Sequence, residues 1–329
     1  MAESDLVRLI PSVAHEQCGV FSTHQALLAG WSHDALRHAV GSGRLVRLRS
    51  GAYAVADVSG FAPDLNVHEI ARWRHAAPGI AAALTTSAVA SHSTAAVLRG
   101  IPLPYLPRRA CVCVVPSWTG RVPKVHLHRC SMPVMPPTAL RSNSPERTIV
   151  DLAREHGVEF GVVAADYVLH KKVRTERELT RELEVCRGWP AVRAARDAIA
   201  FADGRSESVL ESRSRLLMQQ WGLPQPDLQV RIGNQCGGFV ARVDFYWDEF
   251  GVVGEADGAI KYDGTDPAPL HEEKKRQEIL EQDLELPVVR WGNADLRDFG
   301  VVAARLQRRF ARRAGLPRAS RLWRVLPPL

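Results

Sequence analysis

Aromatic residues make up only 7% of this 329-residue chain. No apolar run approaches the roughly 18 residues that a transmembrane helix needs. The cysteines, Cys18, Cys111, Cys113, Cys130, Cys186 and Cys236, are too few and too scattered to frame a chain of this length with disulfides. The first residues, M-A-E-S-D-L-V-R-L-I-P, lack the basic-then-apolar order of a secretion signal. Together these absences predict a cytoplasmic protein with no membrane partner. Acidic residues are missing altogether after Asp298. What is present is an ordinary 46% of hydrophobic residues, enough for two or three domains with real cores. The net charge of +7 leans toward an anionic partner such as DNA.

The stretch from Ala241, A-R-V-D-F-Y-W-D-E-F-G-V-V-G-E-A-D-G-A-I-K-Y, alternates apolar and polar residues twice across a short turn. That period of two predicts two half-buried antiparallel strands. Arg242, Asp244 and Tyr246 share one face of the first, and Val243, Phe245 and Trp247 the other. Val253, Glu255 and Asp257 share a face of the second. Asp244, Glu255 and Asp257 then converge where the register aligns those faces. Converging carboxylates are costly without a cation, and hard divalent ions take carboxylate oxygens plus water. Gly258 ends the strand and lets a ligand approach the backbone. The plainer reading is a hairpin turn with acids at a strand end.

The flanks extend this pattern. Ser206 to Trp221 has helical spacing, with Ser206 as its N-cap. Asp227 to Ile232 reads as a strand, Leu270 to Leu284 as a charged helix carrying Lys274, Lys275 and Arg276, and Leu286 to Trp291 as a further strand. The ordered set E…VDF…EADG…K-Y…EKKR…L…VVRW, over about residues 206–296, resembles the restriction-endonuclease-like superfamily, whose core motif is PD-(D/E)XK. Within it, the chain looks most like very-short-patch-repair endonucleases. The resemblance implies an αβββαβ domain and metal-assisted hydrolysis of DNA phosphodiesters, with magnesium or manganese as cofactor. It implies Asp244 as main metal ligand, Glu255 and Asp257 completing the site, and Glu211 behind it. Lys261 would supply positive charge to the pentacovalent phosphate. Asp257 stands where the general motif has lysine, so the role of Lys261 departs from the pattern.

Near the amino terminus, Ser4 to Glu16 can form a first helix that Pro11 must break or kink. Ser22 or Thr23 caps a second helix ended by Gly30, and Ser32 caps a third closed by Gly41 and Gly43. Leu45 to Val55 reads as a hairpin turning at Ser50-Gly51. The residues G-V-F-S-T-H-Q-A-L-L-A-G-W-S and R-L-V-R-L-R-S-G-A-Y-A-V resemble the N-terminal winged helix of AbiEi-type antitoxins, which bind DNA. That resemblance implies a third helix in the major groove, presenting Ser32, His33, Asp34, Arg37 and His38. Arg44, Arg47 and Arg49 on the wing would meet phosphates. A winged helix used for protein contacts is the alternative. The same resemblance implies a toxin or other protein partner.

Between the ends, Ile80 to Leu98 has helical spacing, and Ala110–Val115 and Val122–Arg129 read as strands around a Trp118-Thr119-Gly120 turn. Cys111 and Cys113 fall on one strand face, and His126, His128 and Cys130 on another. Zinc takes these ligand types, but the two-residue gap of zinc knuckles is missing, so zinc is not expected. Ser144 caps a helix, Thr175 and Glu178 form a capping box, and further helices span Phe160 to Leu169 and Ala191 to Phe201. Asp151 is expected to pair with Arg147 or Arg154. After Asp298, Arg305, Arg308, Arg309, Arg312 and Arg313 crowd one helical face, able to track a phosphate backbone.

The expected fold class is α+β multidomain. A winged helix-turn-helix (1–57) precedes a mostly helical middle region (58–205), a restriction-endonuclease-like domain (206–313) and a basic tail (314–329). The expected function is a DNA-binding protein with a metal-dependent endonuclease domain. The alternative is a non-catalytic antitoxin-like regulator whose degenerate nuclease fold serves dimerisation or extra grip on DNA.

Overall fold

The computed structural model describes residues 10–130, 140–257, 278–315 and 321–328. The chain divides into two compact units, Met1–Ala202 and Asp203–Leu329, both mixed α/β.

In the first unit, helix α1 (Val13–Glu16) starts just after Pro11, where a proline is tolerated. Strand β1 (Val20–Ser22) leads into α2 (Thr23–Leu28). The Ser22 hydroxyl accepts the Gln25 N–H at 3.1 Å and Gln25 Oε1 accepts the Ser22 N–H at 2.8 Å, a reciprocal cap. Ser32 caps α3 (His33–Gly41) as expected, accepting the Ala35 N–H at 3.0 Å. Strands β2 (Leu45–Arg49) and β3 (Ala52–Val55) form the hairpin, and the antiparallel sheet runs β1-β3-β2. One face buries Phe21, Leu45 and Val55 with Leu36 and Ala39 of α3.

The other face of this sheet is covered too. Val20, Ala52 and Ala54 pack on Ala76, Ala77, Ile80 and Ala81 of α5 (Val67–Thr85), which follows a short α4 (Val58–Phe61). The segment after residue 57 thus leads into a helix that completes the packing of this sheet. The expected helix from Ile80 to Leu98 is in fact two, α5 and α6 (His92–Leu98), with strand β4 (Val89–Ala90) between. Helix α5 stops because the Thr85 and Thr86 hydroxyls bond back to the Ala81 and Ala82 carbonyls, and Thr86 also takes the Ala88 N–H. Its start, the Asn66–Glu69 capping box, lay unread in the sequence.

Strands β5 (Ala110–Val114) and β6 (Val125–Arg129) do not form a hairpin. They pair parallel, Cys113 beside His128, while β4 pairs antiparallel with β5. Strand β5 is buried along its whole length, as a central strand must be. Helices α7 (Pro145–His156), α8 (Val158–His170), α9 (Glu176–Val185) and α10 (Val192–Phe201) follow close to expectation. Ile149, Leu152, Phe160, Ala164, Val168 and Leu179 join three of them in one core.

The second unit begins with α11 (Val209–Gln220). Its cap is Ser208, which accepts the Glu211 N–H at 3.1 Å; Ser206 is buried and bonds Ser212 instead. Five strands follow in the order β10-β9-β8-β7-β11. These are β7 (Asp227–Asn234), β8 (Phe239–Trp247), β9 (Val252–Ala256), β10 (Val288–Trp291) and β11 (Trp323–Leu326). Only β9 and β10 pair parallel. Leu210 and Met218 of α11, with Val302, Leu306 and Phe310 of α12 (Phe299–Arg313), cover one face over Phe245, Trp247 and Trp291. Leu280, Leu284 and Trp323 lie with Val243, Tyr246 and Val253 in a second core.

One expectation fails here. Val243 and Tyr246 share one core while Phe245 and Trp247 share the other, so strict alternation breaks at Asp244. Gln229, opposite Asp244 in the β7/β8 register, has φ +54°, which twists the pair locally. The basic tail contributes a strand, because β11 pairs with β7. Trp323 is buried, its indole N–H donates to the Tyr246 hydroxyl at 2.8 Å, and the Arg313 and Arg321 guanidiniums lie over its ring. Arg318 and the expected helix from Leu270 fall outside the described residues, save for a π-helical turn at Ile279–Asp283.

Gly254 marks the tightest packing. A Cβ there would sit 2.7 Å from the Trp291 ring and 3.1 Å from both Phe245 and Trp247. Gly254→Ala is expected to cost about 1–3 kcal/mol through overpacking. Tryptophan fluorescence in a urea titration reads this loss, and an unchanged midpoint would contradict the packing.

Candidate nucleic-acid interface and carboxylate cluster

Asp244 stands where β8 and β9 part. The last paired residues are Phe245 and Gly254, and beyond them Asp244 Oδ2 accepts the Ala256 N–H at 2.8 Å. Glu211, buried in the first turn of α11, accepts the Glu207 N–H at 3.0 Å and the Gln229 amide at 2.9 Å. Asp257 donates its N–H to the Trp291 carbonyl, and its carboxylate lies 3.2 Å from Arg290. Glu255 sits opposite Arg290 in the parallel pair. Lys261 lies outside the described residues.

Burial pushes Asp244 up to about 6, and the charges of Glu211 and Asp257 push the same way, against the Ala256 N–H and the Gln229 side chain. Glu211, Asp244 and Asp257 thus share one electrostatic neighbourhood. Of the expected metal ligands, Asp244 and Asp257 act on each other electrostatically, and Glu255 lies on β9 opposite Arg290. Among the described residues, the groups of three metal-ligating side chains with donor atoms within 4.8 Å of one another all lie in the first unit. Gln229, whose amide bonds Glu211 and whose side chain also acts on Asp244, was missed in the sequence, because β7 alternates polar and apolar residues and nothing local sets Gln229 apart. Arg242 is held away by a two-pronged ion pair to Glu207 at 2.7 and 2.9 Å.

At the amino-terminal segment, Ser32, His33, Asp34, Arg37 and His38 are all exposed on one side of α3. Ser32 is also the helix cap, and Arg37 is ion-paired to Asp34. On the hairpin, Arg47 is exposed. Arg44 donates to the Ser42 hydroxyl at 2.9 Å, and Arg49 is half-buried with one guanidinium nitrogen unpartnered. The face that can meet phosphates therefore centres on Arg37, His38 and Arg47.

A third cluster forms where β5 and β6 run parallel. Cys111 pairs with His126 and Cys113 with His128, so the two alternating series share one face of the sheet. His92, the first residue of α6, stacks on His128 at 3.7 Å between ring centroids. Burial drives His92 well below the ordinary imidazole range and His128 down to about 3, so both rings are neutral at pH 7. Nearby, Asp151 is fully buried and bonded by Arg147 at 2.9 Å, Asn143 at 2.9 Å and Arg154 at 3.2 Å. It pairs with both arginines rather than one.

Residues 8–56 match the family model described as "Transcriptional regulator, AbiEi antitoxin". The chain is also 34% identical, over 177 residues, to two proteins of Mycobacterium tuberculosis. These are uncharacterized protein Rv2248 of strain ATCC 25618 / H37Rv and uncharacterized protein MT2308 of strain CDC 1551 / Oshkosh. Each match covers 53% of this chain and 64% of the relative, so the chain spans under two thirds of these relatives' length. Among solved structures it is similar to the crystal structure of RV2827C protein from Mycobacterium tuberculosis, at 16% identity and a TM-score of 0.31. That similarity covers 64% of this chain and 82% of the other.

Proposed function

We propose that this chain is a DNA-binding regulator whose amino-terminal winged helix docks α3 in the major groove and the β2/β3 hairpin on the backbone. The observation that carries this reading is the coincidence of the AbiEi match over residues 8–56 with the exposed row Ser32, His33, Arg37 and His38. Arg37 and Arg47 supply charge, while Ser32 and His33, at the amino end of the helix, stand where base edges are read in this docking mode. The antitoxin character of the matched family makes a toxin the protein partner of choice.

Arg37→Ala combined with Arg47→Ala is expected to weaken duplex binding about 10- to 100-fold at moderate salt. It should also flatten the dependence of log K on log salt by about two contacts' worth. Fluorescence anisotropy on labelled duplex at several salt concentrations measures both. Unchanged affinity and slope would assign the winged helix to protein contacts instead.

The raised carboxyl of Asp244 beside Glu211 and Asp257 favours a second reading, a metal-dependent nuclease on a restriction-endonuclease-like second unit. The donor set is all oxygen, which suits magnesium or manganese, and a cation would relieve the mutual repulsion. Asp244, Glu211 and Asp257 would hold the ion, with Glu255 next to them on β9. Bound there, the ion would lower the pKa of water and polarise a phosphoryl group. Gln229 holds Glu211 in place, and Arg290 balances Asp257. Without this chemistry the second unit serves as extra grip, its Arg305 to Arg313 face lying along the backbone.

A further inference from the structure

The cluster on β5 and β6 serves neither of these roles. We propose that His92, Cys113, His128 and Cys130 form a binding site for one zinc-class divalent cation.

The register carries this. Parallel pairing sets Cys113 directly beside His128, and the Cys130 N–H, bonded to the Val114 carbonyl at 3.1 Å, continues the same alternation. The thiols of Cys113 and Cys130 are near enough to act on each other. The donor atoms of His92, Cys113 and Asp151 lie within 4.8 Å of one another, as do those of His92, His128 and Glu155. His92 links the two sets.

Asp151 is taken up by two arginines and Asn143. Glu155 lies 3.2 Å from His126. The thiols and the two imidazoles remain as the donors to be satisfied. His128 Nε2 is buried without a partner. His92 is held at φ +46°, a conformation that costs a non-glycine residue about 1–3 kcal/mol. Ser91 bonds its Nδ1 at 3.0 Å, leaving Nε2 for a ligand. A cavity of about 590 Å³ lined by all four residues gives an ion entry. Two thiolates and two imidazoles select zinc over magnesium and suit its tetrahedral shell. The stacked rings cannot both aim a lone pair at one ion, so binding turns one of them. Two thiol protons leave as the ion binds.

The sequence argued against zinc because the usual ligand spacing was missing. That spacing belongs to ligands from one turn, whereas here two strands and a helix start supply them.

Cobalt(II) titration of the full-length, reduced chain under anaerobic conditions tests the site. One equivalent per chain should bind with a thiolate-to-cobalt charge-transfer band and visible bands of tetrahedral intensity, and zinc should displace it. Cys113→Ser and Cys130→Ser should each weaken cobalt binding by more than about tenfold and reduce the thiolate band. Cys236→Ser, an exposed position in the second unit, should change nothing. If Cys113→Ser fails to fold by circular dichroism, the half-buried Cys130 carries the test. No thiolate band with wild type, or a band that survives both substitutions, overturns the proposal.

Discussion

Asp244→Asn is expected to stabilise the metal-free chain near neutral pH and, on the proposed nuclease reading, to abolish magnesium- or manganese-dependent DNA cleavage. A carboxylate held up at about 6 by burial and by Glu211 and Asp257 is poised to receive a cation, and the amide cannot replace its charge. The stability effect follows from linkage. The folded group keeps its proton to about 6, while the unfolded one loses it near 3.8. Between those values the folded state binds more protons, so its stability falls as pH rises through that window. The full penalty, at most about 3 kcal/mol, is present by pH 7 and absent below about pH 4.

Wild type and Asp244→Asn should therefore melt alike at pH 4 and diverge by pH 7, the variant being the more stable. Magnesium should raise the melting temperature of wild type alone. Cleavage of plasmid by both proteins alike would remove Asp244 from any active site. No cleavage by wild type with either metal, alongside intact duplex binding, would leave the regulator reading standing by itself.

Asp151→Ala is expected to be the most damaging single change in the first unit, costing about 3–5 kcal/mol. The carboxylate is fully buried, and Arg147 and Arg154 converge on it from the same helix. Both guanidiniums also stack on Trp189, at 3.8 and 4.9 Å from its ring, so they cannot simply swing into water. Removing the acid leaves two confined positive charges beside each other. Asp151→Asn should recover part of the loss, since an amide oxygen still accepts from one arginine. Chemical denaturation followed by circular dichroism measures the loss, and a change below about 1 kcal/mol would show the network to be solvent-screened.

How much of this was legible in the chain differs by element. The caps at Ser22, Ser32, Ser144 and Thr175 were readable because a cap is a contact between residues three apart. The hairpin at Ser50-Gly51 and the apolar stripe Val302, Leu306 and Phe310 were readable for the same reason, since period and turn chemistry are local. The split between α5 and α6 was hidden, because alanine-rich spacing continues on both sides of the Thr85–Ala88 break. The parallel pairing of β5 and β6 was hidden too, since strand direction depends on where the intervening residues return. So was β11, whose four residues gain meaning only against β7.

The sequence by itself determined the helical and strand periods, the amino-terminal match to a regulator segment, and the excess of arginine after Asp298. These depend on neighbours along the chain. Tertiary structure alone decided which acids act on Asp244, because a single kink at Gln229 changes the faces of β8. It decided that Asp151 holds two arginines rather than one. It also decided that His92 meets the Cys113–His128 pair, residues brought together by a parallel strand order that no local pattern encodes.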